Sequence, residues 1–408
     1  MIGAAAARSD RQRANQASGP RGANGGLGDA LAEPARSADA RRRFRRQALW
    51  GLVAAFAAVS ATVVQLLKRQ VAGTDFSCFW AGAKAAVDAI PRLYDFDYIT
   101  ALQGWPLGPG AVRPYVNPPS ALAIFIPFAL PPYWLGYGLW VGLTGALFLA
   151  VGLKAKAPWW FILMPPVVFA AYCGQVTFLV GGLVLAGLTF RERGVLAGIL
   201  FGVAASVKPQ LLVLLPIALM AERRWSTIFA TAATGLLLVG FSVAIWGLQP
   251  WLDWFAALHR LWPLLFANSA LVANMVSPYA ALAARGWNGA WAFLLIPPVV
   301  VGVWLTFRRN ASLADRSLVL LGGALLISPY AMNYELALLA PAFATYLNRT
   351  QDRRWPAYVV ASVAYVGSAP IFGLIAAIAL VPLRNMAPSL QRTLPRFKRR
   401  AATGLGLG

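Results

Sequence analysis

Apolar stretches recur along the chain from Leu49 to Leu383, separated by short breaks rich in basic residues, proline or glycine. Apolar and polar residues do not alternate at period two, so the pattern predicts helices rather than a membrane barrel. Backbone polar groups find no water inside a bilayer, so only helices and closed barrels cross one. The expectation is an all-α polytopic membrane protein with about 10–12 transmembrane helices.

A first span is predicted over residues 49–67, behind the arginine run "RRRFRRQALW". The apolar run itself is too long for a signal-peptide core and has no A-x-A site close behind it, so it reads as an uncleaved first helix, and the arginines fix the N-terminus inside. Residues 68–117 are weakly apolar and fall outside. There "CFWAGAKAAVDAI" spaces Phe79, Ala83, Ala86 and Ile90 at helical intervals, with Lys84 and Asp88 on another face. This predicts an amphipathic helix lying on the membrane surface. "PRLYDFDYITALQ" predicts a turn and a second short helix.

Pro131 and Pro132 break the next stretch after about twelve residues, roughly 18 Å of helix, too short to span ~30 Å. Residues 120–130 are therefore expected to be half-inserted, and 133–153 to span. Residues 159–172 go out, "CGQVTF" turns, and 178–190 come back to "RER". Residues 194–220 carry Lys208 and Pro209 at their middle and basic clusters at both ends, predicting two short helices with Lys208 near the outer turn. Residues 226–246 go out. Residues 249–276 form a second outer loop with Trp251, Trp254 and Trp262 as interfacial anchors. Residues 291–307 return, 318–327 lead out to "SPYAMNYE", and 336–346 lead back. Residues 357–383 make one long span or two short ones, and the basic stretch after them favours two. The domain reading is a disordered basic cytoplasmic tail over 1–45, a transmembrane domain over 46–385 and a basic cytoplasmic tail over 386–408.

Composition agrees: 408 residues, 59% hydrophobic and 12% charged, with a mean hydropathy of +0.61. The net charge of +22 raises nucleic acid as a partner. The positive residues sit at the ends of apolar segments and in the tails, so anionic lipid head groups are the expected partners and nucleic acid is not. Cys78 and Cys173 stand in apolar surroundings and read as small hydrophobes. With His259 as the one histidine, no zinc site is expected.

On this topology the unusual polar residues share the outer side: Asp75, Asp95, Asp97, Arg113, Asn117, Gln175, Lys208, Asn333 and Glu335. A transporter or lipid flippase, the alternative reading, would place polar groups near the midplane of inverted repeats, and no convincing repeat is present. A non-catalytic scaffold would tolerate loss of Asp75. Polar groups gathered at one interface suit an enzyme acting on a lipid-linked substrate in one leaflet.

Several segments, in order, carry a resemblance: Asp75 after the first span, "FWAGAKAAVDAIPRLYD", "NPPSALAIFIPFALPP", "GQVTFLVGGLVLAGL", "AGILFGVAASVKP" before a helix ending in "ERRW", and "SPYAMNYE". Together, over roughly residues 45–385, the chain resembles glycosyltransferase family 87, the polyprenol-phosphate-mannose-dependent α-mannosyltransferases. The resemblance implies a GT-C membrane fold and a polyprenyl-phosphate sugar as donor. It also implies a site on the outer face of the cytoplasmic membrane and a catalytic carboxylate just after the first span, which maps onto Asp75. Lys208–Pro209 is similarly placed. At Asn333–Tyr334 the chain departs from the aromatic-His pair often found in the late motif.

Glycosyl transfer needs a base for the acceptor hydroxyl and a balance for the charge of the leaving phosphate. Partial desolvation makes Asp75 a better base; the plainer reading is a helix cap. Lys208 is the first candidate for the phosphate, against snorkelling, and Arg113 the second, against a contact with lipid phosphate. Asp95 and Asp97 are candidates for sugar hydroxyls or a divalent cation, but two carboxylates make a weak metal site, so no cofactor is expected; the plainer reading is a helix-start pair. Asn117, Gln175, Asn333 and Glu335 are candidates for sugar hydroxyls, against bonding helix ends to one another. The topology makes a prediction: a cysteine placed at Gln103 should react with an impermeant thiol reagent in intact cells, and one placed at Ala38 should not. The reverse pattern would overturn the one-sided site.

Overall fold

The computed structural model describes residues 72–104 and 112–348, with Gln47, Leu49, Trp50, Gly51 and Val53. Most of the expected first span, the last apolar region at 357–383 and both basic tails lie outside the described residues. The chain is an all-α membrane protein, and the described residues contain no β-strand. Three helical stretches are long and apolar enough to cross a bilayer: Tyr133–Lys154, Trp225–Trp246 and Gly289–Arg308. Four apolar helical stretches are shorter: Pro119–Ala129, Thr177–Thr189, Gly194–Val207 and Pro209–Ala221.

The first described helix, α1 (Phe76–Asp88), is followed by the short α2 (Phe96–Leu102). Then come α3 (Leu122–Ala129), stopped by the proline pair, and α4 (Tyr133–Lys154). Next are α5 (Pro165–Cys173), α6 (Thr177–Thr189), α7 (Gly194–Val207), α8 (Leu215–Ala221) and α9 (Trp225–Trp246). As the sequence predicts, the stretch containing Lys208 is two helices, broken where Pro209 removes a backbone donor and a 3-10 turn, Pro209–Leu212, takes over. The expected second outer loop is largely helical, with α10 (Gln249–Ala267), α11 (Ser269–Ala273) and α12 (Pro278–Ala283). Three more helices complete the described chain: α13 (Ile296–Arg308), α14 (Leu313–Ile327) and α15 (Ala340–Asn348).

Two expectations change. Helix α1 is covered on more than the one stripe that an amphipathic surface helix would bury. Nine of its thirteen residues are buried, because small Ala and Gly positions let other elements close on it. A Cβ at Gly82 would lie 2.4 Å from the Tyr115 ring, and Phe79 stacks on Phe125 of α3 with centroids 4.8 Å apart. The α10 tryptophans also do more than mark an interface. Trp251 Nε1 donates to Ser242 Oγ at 3.0 Å, and Trp254 Nε1 to the Val116 carbonyl at 2.9 Å. Arg260 adds a bond to the Tyr94 carbonyl at 2.9 Å. Helix α10 is thereby fastened over the first loop.

Helix α9 is apolar outside and small or polar inside. Phe229, Leu236 and Leu237 are each about 70% exposed, while its buried residues are Thr227 and Ser242. Water would not tolerate that surface; lipid does. Its inner face meets a glycine stripe on α7. Gly194, Gly198 and Gly202, four residues apart, face Ser226, Ala230 and Thr234 of α9, four residues apart in turn. A Cβ at Gly198 would come within 2.4 Å of Ala230 Cβ and 2.8 Å of the Thr227 carbonyl. In lipid, apolar burial does not hold helices together, and this close backbone approach supplies the dispersion contacts that do. Gly198→Val should therefore destabilise the fold by about 1–3 kcal/mol through overpacking. Leu237→Ala, on the lipid face, should change little. Thermal unfolding of the two variants in one detergent checks this.

Candidate functional site

Helix α5 ends at Gly174, which takes a left-handed conformation at φ +72°. A side chain is excluded there for a second reason, since a Cβ would lie 2.6 Å from Phe76 Cβ. The carbonyls freed at this helix end are all claimed. Gly73 N–H donates to Tyr172 O at 2.8 Å and Asp75 N–H to Cys173 O at 2.9 Å. Tyr137 OH reaches Ala171 O at 2.9 Å, and Trp140 Nε1 reaches Gly174 O at 2.9 Å. The turn before α1 is thus sewn to the end of α5, which brings Asp75 beside Gln175, a hundred residues on.

Gln175 Nε2 donates to Asp75 Oδ2 at 2.8 Å. The Gln175 amide is oriented by its other end, where Oε1 accepts from Val176 N–H at 3.0 Å. Asp75 occupies the residue before α1 but makes no side-chain cap bond, so the helix-cap reading is not the one adopted. The turn lies outside the spanning helices. Burial raises the Asp75 carboxyl above its ordinary value, opposed by the Gln175 bond and by the charges of Arg113 and Lys208, while Glu335 adds to the rise. Arg113, Lys208 and Glu335 therefore all lie within electrostatic reach of this carboxylate.

Helix α7 repeats the construction of α5. Its last carbonyls are taken by the loop before α3: Asn117 Nδ2 donates to Val207 O at 3.0 Å, and Ser120 Oγ to Ser206 O at 2.9 Å. Lys208 follows immediately. It is 9% exposed and forms an ion pair with Glu335, a pairing that sequence reasoning did not find. Glu335 is 2% exposed and is held by Met332 N–H on Oε2 at 2.9 Å. Lys208 Nζ also stands 5.9 Å from the centre of the Tyr334 ring. Removing one member of such a pair leaves a buried charge unmatched.

The remaining candidates divide. Arg113 lies within electrostatic reach of Asp75, and among the described residues its guanidinium forms no ion pair. Its backbone is pinned by Thr100 Oγ1 at 2.8 Å and by Gln103 Nε2 at 2.6 Å. Asn117 is committed to the end of α7. Asn333 donates to Asn274 Oδ1 at 3.2 Å, in a short antiparallel pairing of Met275 with Met332. Asp95 caps α2 through Tyr98 N–H at 3.0 Å and pairs with Arg92 at 3.2 Å; Asp97 is exposed in the first turn of that helix. This is the helix-start arrangement and is apart from Asp75. Cys78 and Cys173 are free and buried. Among the described residues, no three His, Cys, Asp or Glu side chains converge as metal ligands would.

Interrupted helices in a lipid-facing bundle set a carboxylate beside an amide, with an ion pair and an arginine within electrostatic reach. Residues 115–329, just over half the chain, match glycosyltransferase family 87, and the chain belongs to that family. It is accordingly a membrane glycosyltransferase. No curated protein and no solved structure matches it. Asp75 precedes the matched segment and Glu335 follows it, so their grouping rests on geometry.

The raised Asp75 carboxyl makes a stability prediction. In the unfolded chain it titrates near its ordinary value of 3.8, in the folded chain above it. Between the two the folded state binds more protons, so stability falls as pH rises through that window and stays lowered above it. Asp75→Asn removes this cost. The variant should melt higher than the parent at neutral pH, and the gap should close as the pH drops below the ordinary carboxyl value. Melting curves against pH check it; a variant that melts lower throughout would make Asp75 a structural residue.

Proposed function

We propose that this glycosyltransferase takes a hexose, with mannose the expected sugar, from a polyprenyl-phosphate donor and transfers it to a lipid or glycan acceptor at the outer face of the cytoplasmic membrane. The observation that carries the reading is the setting of Asp75. One carboxylate oxygen is held by Gln175, the group is partly desolvated, and Arg113 stands near without a carboxylate of its own.

In the reaction the acceptor hydroxyl gives its proton to Asp75 as its oxygen bonds to the anomeric carbon. The bond from that carbon to the donor phosphate oxygen breaks, and the phosphate leaves with the electron pair. A phosphodiester with one negative charge becomes a monoester with two. A nearby cation that is not already neutralised stabilises the added charge most. Arg113 meets that description better than Lys208, whose charge is matched by Glu335. Its planar fork also suits bidentate contact with phosphate oxygens. Lys208 and Glu335 act as a neutral unit that offers donors and acceptors to the sugar and holds the break after α7 against the late motif. Gln175 orients the base.

In membranes supplied with radiolabelled polyprenyl-phosphate mannose and a lipid extract, Asp75→Asn should lower transfer by ~10²–10⁴ at unchanged abundance, the usual worth of a positioned base. Retention of more than about a tenth of parental turnover would remove Asp75 from that role. Arg113→Gln should raise the apparent donor KM and lower turnover. Lys208→Glu would set two carboxylates together and reduce folded protein. The swap of Lys208→Glu with Glu335→Lys should restore abundance; a swapped enzyme with parental donor and acceptor kinetics would leave the pair a purely structural role.

A further inference from the structure

A cavity of about 610 Å³ lies at the other end of the helices that carry the candidate site. Helix α6, Thr177–Thr189, begins two residues after Gln175 and ends two before Arg191, and α7, Gly194–Val207, lies between Arg193 and Lys208. With 13 and 14 residues they are each about 20 Å long at 1.5 Å per residue. The cavity is lined by five arginines: Arg191, Arg223, Arg224, Arg308 and Arg316. The carboxylates near them are Glu222, which also lines it, and Glu192.

Part of this charge is structural. Arg316, 3% exposed, pairs with Glu222 and donates to the carbonyls of Ala311 and Arg309 at 3.0 and 3.2 Å. Arg224 binds Glu192 at 2.7 Å, and Arg191 meets the same carboxylate at 3.1 Å. Five arginines against two carboxylates leave three positive charges over. Arg223 and Arg308, both exposed, have no carboxylate partner among the described residues.

Arg223 carries a second sign. It follows the end of α8 in a left-handed conformation, φ +59°. The turn is closed by Arg223 N–H to Met220 O at 3.0 Å and Arg224 N–H to Leu219 O at 2.9 Å. Glycine is the residue that takes this position without strain. Among the described residues its guanidinium meets no carboxylate, so no ion pair offsets the backbone cost of this position.

We propose that this cavity is a phosphate-binding site, separate from the transfer site, which takes the head group of an anionic phospholipid from the leaflet on the arginine side of the membrane. A basic pocket between membrane helices at the positively flanked face is placed to meet such a group. Arg223 and Arg308 supply the forks for the phosphate, and the buried Arg316 fixes the floor.

The test uses purified full-length protein in neutral detergent. Melting is followed by tryptophan fluorescence during titration with short-chain phosphatidylglycerol, with phosphatidylcholine of the same chain length, and with sodium phosphate at constant ionic strength. Phosphatidylglycerol should raise the melting temperature saturably and phosphatidylcholine should not. Arg223→Gly relieves the turn, so without ligand it should melt at or above the parent temperature, yet its apparent affinity for phosphatidylglycerol should weaken about tenfold, as for one lost charge-assisted contact. Adding Arg308→Gln should abolish the response. A saturable effect of inorganic phosphate, lost in the same variants, would keep the site and make its ligand a soluble phosphate. Equal effects of the two lipids, no effect of any ligand, or an undiminished response in Arg223→Gly would each overturn the proposal.

Discussion

A helix that stops inside a membrane protein leaves carbonyls that water cannot reach, and each must find a donor. The arrangement of this protein follows from that requirement at two places. The end of α5 is closed by the turn holding Asp75 and by Tyr137 and Trp140 of α4. The end of α7 is closed by Asn117 and Ser120. Each closure draws a distant segment against a helix break, and each break is followed within two residues by a candidate site residue: Gln175 after α5, Lys208 after α7. The bonds that make the interruptions tolerable thus also assemble the site. A change at Gly174 or Asn117 would reach Asp75 or Lys208 without touching either side chain.

The rest of the bundle keeps those breaks in register. Helices α6 and α7 are short struts between the candidate site and the arginine cluster, and α9 is pressed onto α7 through the glycine stripe so closely that a Cβ at Gly198 would meet the α9 backbone. Helix α9 then turns its leucines and phenylalanines to lipid. The loop side is held by α10, whose Trp254 and Arg260 bond to carbonyls at Val116 and Tyr94. Tyr94 in turn donates to the carbonyl of Asn117 at 2.8 Å. One chain of hydrogen bonds therefore runs from the outer helix to the cap of α7.

Local signals in the sequence were enough for the helices and for several site residues. Pro209 inside an apolar run with basic ends announces a break with Lys208 at its tip, and a carboxylate just behind an apolar run announces Asp75. Partnerships between distant residues leave no such trace. Nothing in the spacing of Asn117 and Val207, or of Lys208 and Glu335, marks them as neighbours, because burial on all sides removes the periodicity that shows which face meets which. Asn117 therefore read as a sugar contact and Lys208 as a lone cation, and the structure gives each a partner. Asp95 shows the opposite case: Tyr98, three residues on, supplies its cap bond, the helix-start arrangement that the local sequence offers. The Gly194, Gly198, Gly202 repeat is visible in the sequence. Its meaning becomes clear only beside the matching small residues of α9.

The shortness of α6 and α7 has a consequence for depth. Struts of about 20 Å set against ~30 Å of hydrocarbon cannot carry their two ends to the two head-group planes of a flat bilayer. If the arginine ends sit at one plane, Asp75 and Lys208 stand some 10 Å below the other. For the lipid-borne donor proposed above, the reacting phosphate would then have to sink beneath its neighbours, or the bilayer dimple to meet it. On that reading bilayer thickness itself becomes a variable of the reaction: a thinner membrane shortens the descent and a thicker one lengthens it.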